Sequence, residues 1–154
     1  MRALIATILT TFGILLGGQN HLTHINGIVG LPKALGAYSQ ATKVNYGSFS
    51  MLHVAGLIGI NPVTDVIPET LTEQVHQVMI NLGAMLKSQG TSYSKITRAQ
   101  LFILDMALFA DMDAAYKSYF DPALPFPART AIAILELPKG AKFEIQVDAV
   151  IEHN

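Results

Sequence analysis

The sequence predicts an α+β domain in which a mixed β-sheet carries two helices on one face. Three observations indicate this class: short runs rich in β-forming residues, two stretches with helical spacing of apolar residues, and a final segment in which apolar and polar residues alternate. In chain order the predicted elements are ββαβαββ, an order typical of helices packed on one side of a mixed sheet.

The first three elements are two strands and the longer helix. The strands are predicted at Tyr38–Val44 and Ser48–Leu57, with turn residues between them. The helix follows Thr70, which has the spacing of a capping box with Glu73. Gly90 is a natural stop for this helix. Its apolar face consists of Leu71, Val75, Val78, Met79, Leu82, Met85 and Leu86.

The second half of the chain adds a strand, a shorter helix and two further strands. A β-rich run covers Ile96–Leu104, and prolines in the loop 121–127 prevent the second helix from continuing. The last strands are predicted at Arg129–Leu135 and Phe143–Glu152, and Glu144 falls on the polar side of the final strand. The apolar side of the shorter helix consists of Phe109, Met112, Tyr116, Tyr119 and Phe120.

Composition limits the classes of function. The 154 residues fit one domain, and the chain is 51% hydrophobic but only 14% charged. This apolar surplus indicates an apolar N-terminal segment or a buried subunit interface. The ten Lys and Arg residues are scattered and the net charge is −1, which argues against a strong nucleic-acid-binding surface. Because the sequence has no cysteine, disulfides, thiol nucleophiles and thiolate metal sites are excluded.

The first 30 residues are interpreted as two segments that precede a domain of residues 31–154. Residues 1–18 contain an uncharged apolar run, which as a helix would span roughly 24 Å, less than the roughly 30 Å core of a bilayer. This favours a signal peptide and an exported or periplasmic protein. The alternatives are a misassigned start codon or a buried N-terminal helix, with a cytoplasmic location. Uncleaved, residues 3–18 are the predicted membrane contact, and residues 19–30 are interpreted as a linker.

Two charged residues are candidates for chemistry. Arg129 follows a stiff proline loop, and its guanidinium is suited to bidentate capture of a carboxylate. From the residues alone, a surface salt bridge is the favoured explanation of Arg129, and an exposed strand carboxylate is that of Glu144. His53 and His76 are interpreted as structural or solvated side chains. The sequence shows neither a phosphate-binding loop nor a nucleophile elbow.

Four stretches resemble the Rid family, also called YjgF, and together they cover the chain from about residue 31 to its end. They are Pro32–Ala41, Val54–Pro62, Phe109–Phe120, and the signature formed by Pro127–Thr130 and Leu137–Ile145. The resemblance implies a chorismate-mutase-like α+β fold, assembled as a homotrimer with a cleft between each pair of subunits.

The resemblance also implies a hydrolase without a metal or cofactor. Archetypal members are enamine/imine deaminases that hydrolyse 2-aminoacrylate, 2-iminobutanoate or 2-iminopropanoate to 2-keto acids and ammonium. Arg129 would bind the substrate carboxylate, and Glu144 would activate water and return a proton to the leaving nitrogen. Tyr38 would line the pocket and hydrogen-bond substrate or water, and the backbone at Gly56 would approach the ligand closely.

The sequence departs from the family pattern at several positions of the implied substrate site. Ala55, Leu57 and Ala131 replace a common Ser, Gln and Cys, respectively, and Gly59 stands where Pro is frequent. Asp113 stands where Asn is common. Its negative charge would weaken carboxylate binding unless Asp113 pairs with Arg129 or lies outside the cleft.

Two other functions remain open from the sequence. One is a non-catalytic trimer that binds small carboxylates or acts as a chaperone-like scaffold. The other is an endoribonuclease or translation inhibitor, which the near-neutral composition disfavours.

The two candidate residues would lie far apart if the last two strands formed a simple hairpin. Glu144 would then oppose about residue 135, roughly 20 Å from Arg129. Either these strands are not neighbours, or each cleft takes Arg129 and Glu144 from different subunits.

Overall fold

The computed structural model describes residues 21–153 and confirms the α+β class. The helices are α1 (Leu71–Ser88) and α2 (Phe109–Lys117). The strands are β1 (Leu22–Ile25), β2 (Ala41–Asn45), β3 (Phe49–Ile58), β4 (Ile96–Ile103), β5 (Ala128–Ala133) and β6 (Phe143–Glu152). The predicted signal segment at residues 1–18 lies outside the described residues.

The strands form one six-stranded mixed sheet in the order β1-β2-β3-β6-β4-β5. All neighbours are antiparallel except β4 and β5, which run parallel. The last two strands of the chain are therefore not a hairpin, because β4 lies between them.

The interpretation of residues 19–30 as a linker is wrong for part of this segment. Leu22–Ile25 form an edge strand that pairs with β2, and Ile25 is buried against the core. A four-residue strand has too short a pattern to be recognised in sequence, because long-range pairing stabilises it. The predicted strand Tyr38–Val44 also begins later, at Ala41, and Tyr38 lies in the preceding loop.

The two helices pack against each other, and α1 also packs against β3 and β6. The predicted apolar face of α1 is confirmed, since all seven of its residues are buried. The second helix is shorter than predicted. It ends at Lys117, and Tyr119 and Phe120 pack against the core from the turn that follows.

Buried amides of α1 hold the loop after β3 and the start of β6. Asn81 Nδ2 donates to the carbonyl of Ile60 at 2.9 Å. Gln74 Nε2 donates to the carbonyl of Pro68 at 2.8 Å, and its Oε1 accepts from the backbone N–H of Lys142 at 2.7 Å. These bonds satisfy polar groups that would be costly to bury alone, and they position the first residues of β6.

The apolar core lies between the sheet and this helical layer. No helix within residues 21–153 is both long and apolar enough to cross a membrane.

The predicted capping box at the start of α1 is confirmed, because the Thr70 hydroxyl accepts from the Glu73 N–H at 3.3 Å and the Glu73 carboxylate accepts from the Thr70 N–H at 3.2 Å. Thr70→Ala should lower the free energy of unfolding by about 1 kcal/mol, since it leaves helix-terminal N–H groups without this acceptor. Urea denaturation measures the change. Thr72→Ala, an exposed position inside the same helix, is the control and should cause no loss. Equal losses from both variants would contradict this role of the cap.

Candidate active site in two halves

A cavity of about 360 Å³ opens between the loop before β2, the end of β3 and the start of β6. We call it the Glu144 cavity. Its lining includes Tyr38, Ala55, Gly56, Pro138 and Glu144. A volume of this size is suited to a small molecule, and a mostly apolar wall with a few polar groups is typical of ligand sites.

Glu144 is the acid of this cavity, and it lies on the face of the sheet that points away from the helices. It pairs in register with Ile58 of β3 and Phe102 of β4, and it is half-buried. Burial raises the pKa of Glu144 above its ordinary value, because the ionised carboxylate loses solvation. A carboxyl group with a raised pKa can exchange protons nearer neutral pH, as a general acid or base must.

Gly56 allows the Glu144 carboxylate to lie directly against the backbone of β3. A β-carbon built at Gly56 would overlap the carboxyl group of Glu144. The pairing register between β3 and β6 shifts between Val54 and Leu57, which indicates a bulge at this point. A larger residue at position 56 would prevent the Glu144 carboxyl group from lying this close to the backbone of β3.

The same cavity is also lined by Tyr38, Ala55 and Leu57, which differ in polarity and exposure. The ring of Tyr38 is partly exposed, and its hydroxyl accepts from the Leu35 N–H at 3.2 Å. The tyrosine O–H remains able to donate to a ligand or water. Leu57 lines the cavity, but its side chain belongs to the buried core.

A second cavity, of about 370 Å³, surrounds Arg129 between β5 and α2, and we call it the Arg129 cavity. Arg129 pairs in register with Ala99 of β4, which is fully buried on the helical side of the sheet. The guanidinium carbon lies 5.4 Å from the ring centres of both Phe109 and Tyr116. These aromatic faces hold the cation by cation–π attraction.

Asp113 pairs with Arg129, which is one of the two arrangements considered from the sequence. Its Oδ1 accepts from Arg129 Nη1 at 2.5 Å, and its Oδ2 lies 2.9 Å from Lys117 Nζ. Burial alone would raise the pKa of Asp113. Hydrogen bonds from Lys117 and Arg129 outweigh burial, so the pKa of Asp113 lies below its ordinary value.

The sequence pattern did not predict a role for Lys117 or for the hydroxyl of Tyr116. The spacing of Asp113 and Lys117, one helical turn apart, was the available signal for the first. Tyr116 appeared only as an apolar helix residue, whereas its buried hydroxyl has no hydrogen-bond partner within residues 21–153. Ala131, two residues after Arg129, packs against the core rather than lining this cavity.

The structure keeps Arg129 and Glu144 of one chain apart. Their register partners on β4, Ala99 and Phe102, are three positions apart, so the two side chains point to opposite faces of the sheet. Three residues along a strand and two strand spacings across place their Cα atoms roughly 14 Å apart. A single chain therefore presents two separate cavities, each with one of the two candidate residues.

His53 and His76 lie outside both cavities. His53 Nδ1 is 2.7 Å from Asp148 Oδ1, and His76 Nδ1 is 3.0 Å from the Tyr119 hydroxyl. Each histidine thus has a nearby polar partner that accounts for its position.

Comparison with known proteins relates most of the chain to one family. Residues 30–151 match the family model described as endoribonuclease L-PSP. A RutC family protein of Leuconostoc mesenteroides is 41% identical over 77% of this chain and 91% of its own length. The 2-iminobutanoate/2-iminopropanoate deaminase of Bos taurus is 32% identical over 77% of this chain and 83% of its own. A Rid-family crystal structure from Yersinia pestis has a TM-score of 0.74 and 34% identity, covering 83% of this chain and 98% of that one.

The raised pKa of Glu144 predicts a pH-dependent cost in stability. The acid is protonated in both states below the pKa of the unfolded chain. As pH rises from the pKa of the unfolded chain towards the higher pKa of the folded state, the unfolded chain ionises first, so unfolding becomes more favourable. The stability of the wild type relative to Glu144→Gln should therefore fall between pH 4 and pH 8, by at most about 1.4 kcal/mol per pH unit.

Urea denaturation of both proteins across this range measures the difference. Glu136→Gln removes an exposed carboxylate from a nearby loop and serves as the matched control. A pH-independent difference between wild type and Glu144→Gln would show that burial does not perturb Glu144.

Proposed function

The chain belongs to the Rid family, and we propose that it is a hydrolase that deaminates small 2-imino acids such as 2-iminobutanoate and 2-iminopropanoate. The observation that carries this proposal is the half-buried Glu144, whose pKa burial raises, in a cavity of small-molecule size. The deaminase names of relatives such as the bovine protein support the same chemistry.

In the proposed reaction, water adds to the imine carbon and ammonia leaves. The Glu144 carboxylate accepts a proton from the attacking water as its oxygen bonds to carbon. Glu144 then returns this proton to nitrogen, which gives a carbinolamine. As the carbon–nitrogen bond breaks, Glu144 transfers the hydroxyl proton of the carbinolamine to nitrogen, so a 2-keto acid and ammonia are released, and ammonia takes up a proton from solvent to become ammonium. One acid with a raised pKa can serve as base in the first step and acid in the second.

Other residues of the Glu144 cavity orient the reactants. The Tyr38 hydroxyl is placed to donate to substrate or water, because its own contact with Leu35 uses it as an acceptor. Because Gly56 has no side chain, the Glu144 carboxyl group can lie against the backbone at the wall of this cavity. Ala55 adds no hydroxyl to this wall.

The proposal places the carboxylate-binding group in a second copy of the chain. Arg129 of one subunit would reach the Glu144 cavity of the next, in a homotrimer with three equivalent clefts. Two observations support this: Arg129 and Glu144 of one chain lie on opposite faces, and large apolar side chains on β5 and in the loop before it are exposed. Phe126 is 51% exposed and Ile132 is 40% exposed, as is common in surfaces that become subunit interfaces.

Lys33 offers an alternative within one chain, since it lines the Glu144 cavity and carries a positive charge. Lysine is less suited than arginine to planar, bidentate carboxylate recognition. Subunit mixing, below, distinguishes the two arrangements.

Two other activities have less support. One is a trimer that binds small carboxylates without turnover and acts as a scaffold or a chaperone. It would use the same cavities, but it does not explain why Glu144 has a raised pKa. Ribonuclease activity has the support of the family model's description. However, within residues 21–153 Lys95, Lys117 and Lys139 each lie in an ion pair with a carboxylate, which reduces the positive charge available to RNA.

Turnover tests the proposed activity directly. The purified protein should release keto acid and ammonium from 2-aminoacrylate generated in situ, faster than the uncatalysed reaction. Glu144→Gln should reduce kcat by about 10²–10⁴-fold because it removes the proton-transfer group. Arg129→Ala should reduce kcat/KM by about 10²-fold because it removes a charged hydrogen-bonding partner. Lys87→Ala, which removes an exposed cation from the end of α1, should act as wild type. A wild-type rate equal to the uncatalysed rate would refute the deaminase.

Mixing inactive subunits tests the shared site. If each cleft takes Arg129 and Glu144 from different subunits, Arg129→Ala and Glu144→Gln chains denatured and refolded together should recover activity. Random assembly leaves about one cleft in four with both residues intact, so about a quarter of wild-type activity is expected. Each variant refolded alone should stay inactive. No recovery in co-assembled subunits, together with loss of binding in Lys33→Ala, would favour a site within one chain.

A further inference from the structure

The Arg129 cavity contains its own carboxylate, and both of its oxygens are engaged. Asp113 bonds Arg129 through Oδ1 and Lys117 through Oδ2. The Asp113 side chain is 17% exposed and that of Arg129 is 29% exposed, so water screens their charges only in part. Asp113 thus acts as a fixed internal counter-anion of the cations that a ligand would meet.

The net charge of the Arg129 cavity favours the binding of one further anion. Arg129 and Lys117 contribute two positive charges and Asp113 contributes one negative charge, a sum of +1. The bond from Nη1 to Asp113 occupies one of the five N–H donors of Arg129, so others remain for a ligand carboxylate. One carboxylate would neutralise the cavity, and a second would leave it with a net charge of −1.

The other described residues of this cavity supply no charge that would offset a second carboxylate. Phe126 and Pro127 are apolar. Burial raises the pKa of Tyr116 to about 12, so its hydroxyl stays neutral and adds no charge. In the Glu144 cavity, Lys33 and Glu144 carry opposite charges.

We propose that Asp113 is a specificity-determining residue that restricts the site to imino acids with a single carboxylate. The inference rests on the proposed function, because it assumes that Arg129 binds the substrate carboxylate. With Asp113 ionised, the Arg129 cavity keeps a net charge of +1, which attracts the carboxylate common to all 2-imino acids. A second carboxylate on the same substrate would be repelled by the negative charge of Asp113.

Asp113→Asn tests this inference, because the amide oxygen can still accept from Arg129 while the negative charge is removed. We would measure kcat/KM for the imines of 2-oxobutanoate and 2-oxoglutarate, and Kd for the two keto acids by calorimetry. Wild type should prefer the monocarboxylate in both measurements. In Asp113→Asn this preference should fall by about tenfold, since a charge a few ångströms from the ligand in a partly screened site has at least this effect.

Two further variants make the test independent of folding defects. Asp111→Asn makes the same charge change on an exposed position of α2 and should keep the wild-type preference. Lys117→Met changes the charge of the Arg129 cavity in the opposite direction, so the preference for one carboxylate should increase. Circular dichroism measures whether each variant is folded. If Asp113→Asn does not fold, the preference of Lys117→Met tests the inference instead.

The two proposals fail in different ways. If wild type turns over the monocarboxylate imine but Asp113→Asn keeps the same preference within twofold, Asp113 does not determine specificity. If wild type turns over no imine, the deaminase proposal fails. The ratio of the two keto-acid Kd values then still decides whether Asp113 restricts binding to one carboxylate.

Discussion

Strand β4 separates the two halves of the candidate site. It pairs with β5 on one side and β6 on the other, so Arg129 and Glu144 are each positioned by a residue of β4. These two β4 residues, Ala99 and Phe102, are an odd number of positions apart. Alternation of side chains along a strand then sends the cation to the helical face and the acid to the opposite face. The requirement for a second copy of the chain in our proposal follows from this parity.

The same physical effect, burial of a carboxylate, has opposite results in the two halves. Glu144 loses solvation, and its pKa rises. Asp113 also loses solvation, but the ammonium of Lys117 and the guanidinium of Arg129 bind it, and its pKa falls. One carboxylate is therefore suited to exchange protons, and the other stays ionised as a fixed charge.

The core supports the Glu144 half through polar contacts as well as apolar packing. Gln74 of α1 binds both the loop that precedes the helix and Lys142, the residue directly before β6. Asn81, two helical turns further on along the same face, binds the backbone after β3. Because Gly56 and Glu144 lie on the two strands that these amides anchor, the geometry of the cavity depends on the buried face of α1.

The sequence by itself determined the α+β class, most helix and strand positions and the capping box at Thr70, because each depends on residues near one another in the chain. The family resemblance identified Arg129, Glu144, Tyr38 and Gly56 as candidates. Only the tertiary structure decided the sheet order, the edge strand β1, the ion pair of Asp113 with Arg129 and the opposite faces of Arg129 and Glu144. These features depend on which distant segments pair and in which register. Burial of one face of each strand against the core selects the register, and this burial involves contacts between residues far apart in the chain.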